Sequence, residues 1–407
     1  MNQRTKSNAP RQSSNPKKLT DRRGFLGSLG AGSIAAALTA GWTQHILGMD
    51  LHENRKPWQP ISDRKVRVGI VGYGVCKFGA EFGFQSHPNV EIVAVSDLFP
   101  ERRAGLMKAC RCAKSYDSLE ELVKDPKIEA VFVATDAPSH ARHCREALLH
   151  GKHVMCAVPA TWGSVEEGEK LLETVQKTGL KYMMAETSCY HAACHAMRTI
   201  YRAGGFGRLV YSEGEYFHYI TAPIDSYKNW RLGCPPLWYP THSTAFYVGV
   251  TGQRFTSVSC TGFRGKHAAF QANAYNNPFA DEFALFETSE GGVSRMCMSM
   301  SVQGHVEETG RVFGERGRMD RLSYYGALET LPDISRPSLP PGVPEGGHGG
   351  SHGPLMNEFI TAILQDREPL VNIYEALAMT IPGIIAHQSA LKDGERLKIP
   401  QYCRPGA

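Results

Sequence analysis

Gly72-Tyr73-Gly74-Val75-Cys76-Lys77 directly follows a short apolar run at 66–71, and a second apolar run at 90–95 ends in Ser96-Asp97. A glycine turn after a strand lets backbone N–H groups and the start of a helix face a pyrophosphate. Lys77 stands where a third glycine would complete Gly-x-Gly-x-x-Gly, with Gly79 and Ala80 just beyond. Asp97 lies at the spacing from which a carboxylate reaches an adenosine ribose. A carboxylate there accepts the 2′-hydroxyl and repels a 2′-phosphate, so the pair predicts NAD ahead of NADP. Arg102 and Arg103 follow closely and temper that preference.

Such a turn works only at the end of a parallel strand, and the surrounding pattern supplies one. Further apolar runs fall at 128–134 and 153–158, with helical patterns between them at 118–123 and 141–150 and a helix-strand pair at 165–177 and 180–185. Strands alternating with helices imply βαβ units. After residue 186 the character changes. A helix is predicted at 195–203, then alternating strand-like stretches at 209–218, 256–263, 282–288 and 292–301. A Pro/Gly-rich loop follows at 332–354, and two helices end the chain at 355–364 and 373–391, the second kinked at Pro382. The fold class is therefore α/β. It combines an N-terminal doubly wound Rossmann sheet with a C-terminal α+β domain whose open sheet is largely antiparallel. The expected boundaries are 1–40, a linker at 41–64, the dinucleotide domain at 65–186 and a substrate and oligomerisation domain at 187–407. An open sheet face there would suit a homo-oligomer.

The 407 residues carry a formal charge of +5, but seven of the 45 Lys/Arg and only one of the 40 Asp/Glu lie in residues 1–40. The remainder is near neutral, which gives no reason to expect nucleic acid or anionic lipid as a partner. The basic leader contains Asp21-Arg22-Arg23-Gly24-Phe25-Leu26 and then a weakly apolar Gly/Ala-rich run. That is the pattern of a twin-arginine export signal, too short and Gly/Ser-diluted for a stable membrane span. It predicts a periplasmic or extracellular protein. The eleven cysteines include no CxxC pair and no zinc spacing, so they read as small buried hydrophobes and no metal site is expected.

The order of these pieces resembles the glucose–fructose oxidoreductase, inositol dehydrogenase and MocA family. The resemblance rests on Gly72-Tyr73-Gly74, Val95-Ser96-Asp97, Val133-Ala134-Thr135 with His140, and Gly151-Lys152-His153-Val154, and it covers about residues 65–400. That family's strand after Gly-Lys-His-Val normally ends in Glu-Lys-Pro. Here the place reads Ala157-Val158-Pro159-Ala160, without the lysine. One branch also lacks it, the NAD-dependent glycoside hydrolases that include α-N-acetylgalactosaminidases. Met183-Met184-Ala185-Glu186-Thr187-Ser188-Cys189-Tyr190, Tyr239-Pro240-Thr241-His242, Asn277-Pro278-Phe279 and His348-Gly349-Gly350 are similar to that branch. Ala157 replaces the branch's Glu, and Thr187 its Asn.

The resemblance implies that Gly72, Gly74, Val75, Cys76, Asp97, Thr135, Ala137, Pro138, His140, Ala157, Val158 and Thr187 line NAD. It implies that Tyr216, Arg231, Tyr239, Pro240, Thr241 and His242 contact a sugar or glycoside. With no lysine, His242 is the candidate base, assisted by Tyr239, since a histidine titrates near neutral pH. His348 and His352 are expected to be solvent-exposed or to order their loop. An exported enzyme should keep its NAD and recycle it within each turnover. Three readings follow: a sugar oxidoreductase with retained cofactor, a glycoside hydrolase that oxidises its substrate transiently, and a non-catalytic NAD-containing sugar-binding protein.

Overall fold

The computed structural model describes residues 43–46, 57–219, 226–303 and 306–404. The twin-arginine leader lies outside them. From Thr43 onward the chain forms one compact unit that contains two separate sheets.

The first sheet has six parallel strands. They are β2 (Val66–Val71), β3 (Val90–Ser96), β4 (Ser115–Tyr116), β5 (Ala130–Val133), β6 (His153–Cys156) and β7 (Tyr182–Met184). Their spatial order is β4-β3-β2-β5-β6-β7, so the winding reverses between β2 and β5. Nearly every residue of β2 and all of β5 are buried, as expected for strands covered on both faces. The crossover helices include α1 (Pro100–Cys110), α2 (His140–Leu149) and α3 (Val165–Thr178). Ser164 starts α3 by accepting a bond from Glu167 N, and Gly179 ends it in the left-handed conformation.

The second sheet has nine strands. β1 (Thr43–Ile46) is followed in the chain by β8 (Leu209–His218), β9 (Phe255–Arg264), β10 (Phe279–Thr288), β11 (Val293–Ser299), β12 (Val306–Gly314), β13 (Gly317–Asp320), β14 (Ser323–Gly326) and β15 (Leu397–Lys398). Their order is β1-β14-β13-β12-β8-β11-β10-β9-β15, antiparallel except for the β8–β11 pair. One finding corrects the sequence reading: Thr43–Ile46 is not linker but an edge strand paired with β14. Four helices complete the fold: α4 (Ala192–Arg202), α5 (Thr241–Thr251), α6 (His352–Leu364) and α7 (Ile373–Ala390). α7 is one assigned helix with Pro382 inside it. No helix among the described residues is long and apolar enough to cross a membrane.

α5 lies unusually close to the sheet. Gly214 and Gly310 are cross-strand partners on β8 and β12. A Cβ at Gly214 would meet the Ser243 carbonyl at 2.0 Å, and one at Gly310 would meet the Phe246 ring at 2.3 Å. Two facing glycines thus let the first turns of α5 rest on the strands, which brings His242 beside the side chains that β8 and β12 project. The opposite face carries ion pairs of Glu213 with Arg295 and Arg311, and of Glu215 with Arg295.

Candidate active site

A cleft opens where the winding reverses, at the carboxyl ends of β2 and β5, as such sheets require. Gly72, φ +103°, turns the chain there, and a Cβ on it would strike the Ala134 carbonyl at 2.2 Å. No atom lies within 4 Å of where a Gly74 Cβ would stand, so the turn presents bare backbone. The helix expected after it is only the single turn Phe78–Glu81, entered through Lys77 in a left-handed conformation. The turn's own N–H groups, rather than a long helix dipole, form this wall. Asp97 is fixed at the end of β3: Oδ2 accepts from Tyr73 N at 2.7 Å and Oδ1 from Phe99 N at 2.9 Å. Arg103 donates to the Asp97 carbonyl and pairs with Asp117, while Arg102 stacks over Phe99.

Gly72, Gly74, Val75, Cys76, Asp97, Thr135, Ala137, His140, Ala157 and Val158 all line this cleft, with Arg231 and Tyr239 from the second half of the chain. Pro138 does not, although its neighbours do. His140 is held by the Pro159 carbonyl (2.8 Å) and the Thr135 carbonyl (3.2 Å). A long cleft with a bare glycine turn and an oriented carboxylate at one end fits a dinucleotide.

Behind Tyr239, and outside the residues that line the cleft, lies a cluster of ionisable groups. His242, on the first turn of α5, is buried, and its Nδ1 lies 2.8 Å from Glu186 Oε1, 3.3 Å from Thr187 Oγ1 and 3.6 Å from Glu308 Oε2. Glu186 follows β7 and also accepts from Ser188 N, while Glu308 projects from β12. Glu308 further faces His191 (3.4 Å) and His348 (3.9 Å) and accepts from Ser188 Oγ at 2.9 Å. Thr187 therefore belongs to this cluster rather than to the cofactor wall. Tyr216 sits edge-on to the His242 ring at 4.6 Å, and Tyr239 lies 5.4 Å from it. Pro240 precedes α5, and Thr241 is fully buried at its first position; neither of them nor His242 lines the cleft, which His242 approaches through Tyr239.

Charge settles the roles available. Burial alone would lower the pKa of His242, but the Glu186 and Glu308 carboxylates outweigh it and raise the imidazole to about 9. His242 is therefore protonated at neutral pH, which corrects the expectation of a near-neutral base. His348 moves the other way: burial, reinforced by the charge on His242, lowers its pKa and leaves it neutral. Burial would raise the Glu308 pKa, yet His242, His191 and His348 together lower it. Burial keeps the Tyr216 and Tyr239 phenols protonated. The two imidazoles are thus displaced in opposite directions beside one carboxylate.

Neither His348 nor His352 is exposed, and His352 orders the loop by accepting from Gly347 N at 3.3 Å. His348 adopts a left-handed conformation, φ 47°, which turns it inward, and its ring stacks at 6.3 Å from His242. Its Nδ1 shares a 2.9 Å hydrogen bond with His352 Nε2, and the His352 ring stacks on Phe82 at 4.3 Å. Glu308 carried no sequence signal. His348 carried one in its glycine neighbours, since flanking glycines let a short loop fold a side chain back over a site.

Residues 66–186 match the family model described as "Oxidoreductase family, NAD-binding Rossmann fold". A "Glycosyl hydrolase family 109 protein" of Porphyromonas gingivalis is 33% identical over 177 residues, covering 41% of this chain and 38% of that relative. The matched stretch thus spans well under half of that relative's length. A protein of the same description from Solibacter usitatus is 24% identical over a 436-residue alignment, covering 95% of this chain and 97% of its own. Among solved structures, a levoglucosan dehydrogenase in complex with NADH superposes with a TM-score of 0.70 at 16% identity, over 83% of this chain and all of that one. An apo scyllo-inositol dehydrogenase from Lactobacillus casei superposes at 0.65 with 13% identity, over 83% and 99% of the two chains. Residues 66–186 are thus similar to the NAD-binding Rossmann domain of the GFO/IDH/MocA oxidoreductase family, and the chain shares the two-sheet fold of these solved structures.

Proposed function

We propose that this protein cleaves a glycoside by transient oxidation of its sugar, with His242 as acid and His348 as base. The observation that carries the reading is geometric: His242 Nδ1 and His348 Nε2 approach the one Glu308 carboxylate at 3.6 and 3.9 Å, with their rings stacked. NAD would be held by the turn at Gly72 and Gly74, by Asp97, and by the Ala157-Val158 wall. When bound it supplies reversible two-electron oxidation of a hydroxyl-bearing carbon. The residues of this chain handle the protons. Once a carbonyl stands beside it, a ring C–H is acidic enough for neutral His348 to take its proton. The electron pair left behind forms a C=C bond as the glycosidic C–O bond breaks. His242, charged and buried, gives its proton to the departing oxygen. Tyr239 and Tyr216, both neutral phenols, orient hydroxyls without competing for the proton. Glu308 keeps the proton inventory of the two histidines constant between turnovers. This scheme needs no pair of catalytic carboxylates on opposite sides of the glycosidic bond.

The test is an aryl glycoside panel in deuterated buffer with no added acceptor. Repeated turnover, with deuterium entering the carbon beside the anomeric centre, is the expected result. A ketosugar formed only when an acceptor is supplied would instead favour a coupled sugar dehydrogenase, the reading that the likeness to sugar dehydrogenases supports. We also propose export through the twin-arginine leader at residues 1–40, supported by Arg22-Arg23 and the weakly apolar run that follows. Replacing both arginines by lysine should hold the protein in the cytoplasm.

A further inference from the structure

A second cavity adjoins the first beside Tyr239. The two share Trp230, Arg231 and Tyr239, and Tyr216 lies on the second cavity's near side. Its far end is of another kind. Trp162, Phe270, Met298 and Met300 form it, with the Trp162 ring edge-on to Trp230 at 5.0 Å. Met298 is the cross-strand partner of Tyr216, which ties this apolar end directly to the residue beside His242. The Arg231 guanidinium lies over the Trp230 ring at 4.1 Å and marks the junction. Of the two histidines in the lining, His267 already spends Nδ1 on Ala269 N.

A pyranose carries hydroxyls around its whole rim, and each needs a partner when buried. The near end offers them through Tyr216, Tyr239 and Arg231. The far end offers thioethers, an indole face and a phenyl ring. Such surfaces reward flat apolar groups through ring packing and sulfur–aromatic contact.

We infer that this second cavity is the leaving-group subsite, and that the substrate is a glycoside whose aglycone is apolar and preferably aromatic. The inference rests on the proposed glycoside cleavage. It adds that the sugar faces the cofactor cleft while the aglycone points toward Phe270 and Met300.

Calorimetric titration of the protein as purified tests it without turnover. The probes are paired methyl and phenyl glycosides, both anomers, of glucose, galactose and N-acetylgalactosamine. For the sugar that binds, the phenyl glycoside should bind at least about tenfold more tightly than the methyl glycoside, a size of effect common for burying one aromatic ring. Phe270→Ala should remove most of that advantage and leave methyl glycoside affinity unchanged, with Met300→Ala as a second variant should the first fold poorly. Equal affinity of the two glycosides would overturn the subsite while leaving glycoside binding intact. A phenyl advantage that survives both variants would also overturn it. Binding of neither glycoside by any sugar would overturn the parent reading itself.

Discussion

The molecule buries two histidine–carboxylate pairs of nearly the same geometry. His242 Nδ1 lies 2.8 Å from Glu186, and His387 Nδ1 lies 2.6 Å from Glu282. All four side chains are almost completely shielded from solvent. Yet their surroundings differ. His387 is packed by Trp238 and Phe279, and Glu282 uses its second oxygen to hold Leu237 N at 2.8 Å. Glu282 thus braces the turn that carries Trp238 and Tyr239 toward the site. The pair at His242 is left unfinished. It has a second carboxylate, Glu308, two more histidines and an adjoining cleft, and Glu186 Oε2 is buried without a partner. Local geometry alone would rank the two equally; what separates chemistry from architecture is the excess of ionisable groups around one of them.

The sharpest way to break that comparison is to replace each histidine. His242→Gln should reduce turnover by about a thousandfold, within the usual range for a general acid, while the protein keeps its bound NAD and loses only the part of its stability that the charged imidazole supplies. Equal losses of activity and stability would make this pair architectural too. His387→Ala should show the converse. It strands a buried carboxylate and leaves a void, so stability should fall by about 3 kcal/mol in a denaturant titration, with kcat changed far less.

The pH profile sharpens the contrast further. Turnover needs His242 protonated and His348 neutral, so the rate should fall as pH rises through about 9 and again as pH drops well below 6.5. The groups facing His242 are Glu186, Glu308, His191 and His348. Glu308→Gln removes one of its two carboxylates and should bring the alkaline limb down by about one unit. The same groups set a stability term. The folded-state pKa of His242 is raised, so its contribution is present below 6.5 and is lost as pH rises through about 9. That of Glu308 is lowered, so its contribution is present above 4.5 and is lost as pH falls below that value. The wild-type unfolding temperature should therefore sag above pH 9, and the sag should be absent from His242→Gln.

The two halves of the cleft were not equally legible in the sequence. The cofactor wall is written in contiguous pieces, because a strand, its turn and the next strand end must follow one another closely: Gly72, Gly74 and Asp97 lie within 26 residues. The reacting end draws Glu186, His242, Glu308 and His348 from four distant segments, and only the second sheet brings them together. Periodicity could suggest that Glu308 lies on a strand, but not that three histidines converge on it. The near-neutral value expected for His242 failed for the same reason, since the carboxylates that raise it are 56 and 66 positions away. Reading 41–64 as linker missed Thr43–Ile46, because a four-residue edge strand gains its pairing from β14 rather than from its own composition.

That short strand has a practical consequence. By pairing along β14 from Thr43 opposite Gly326 to Ile46 opposite Ser323, it occupies main-chain groups that would otherwise form a bare sheet border. Proteolytic maturation that stopped before Thr43 would leave this border sealed. A cut only a few residues later would unseal it and offer a sticky seam to any neighbouring polypeptide, so a recombinant form trimmed past Ile46 should clump where one starting at Trp42 stays dispersed.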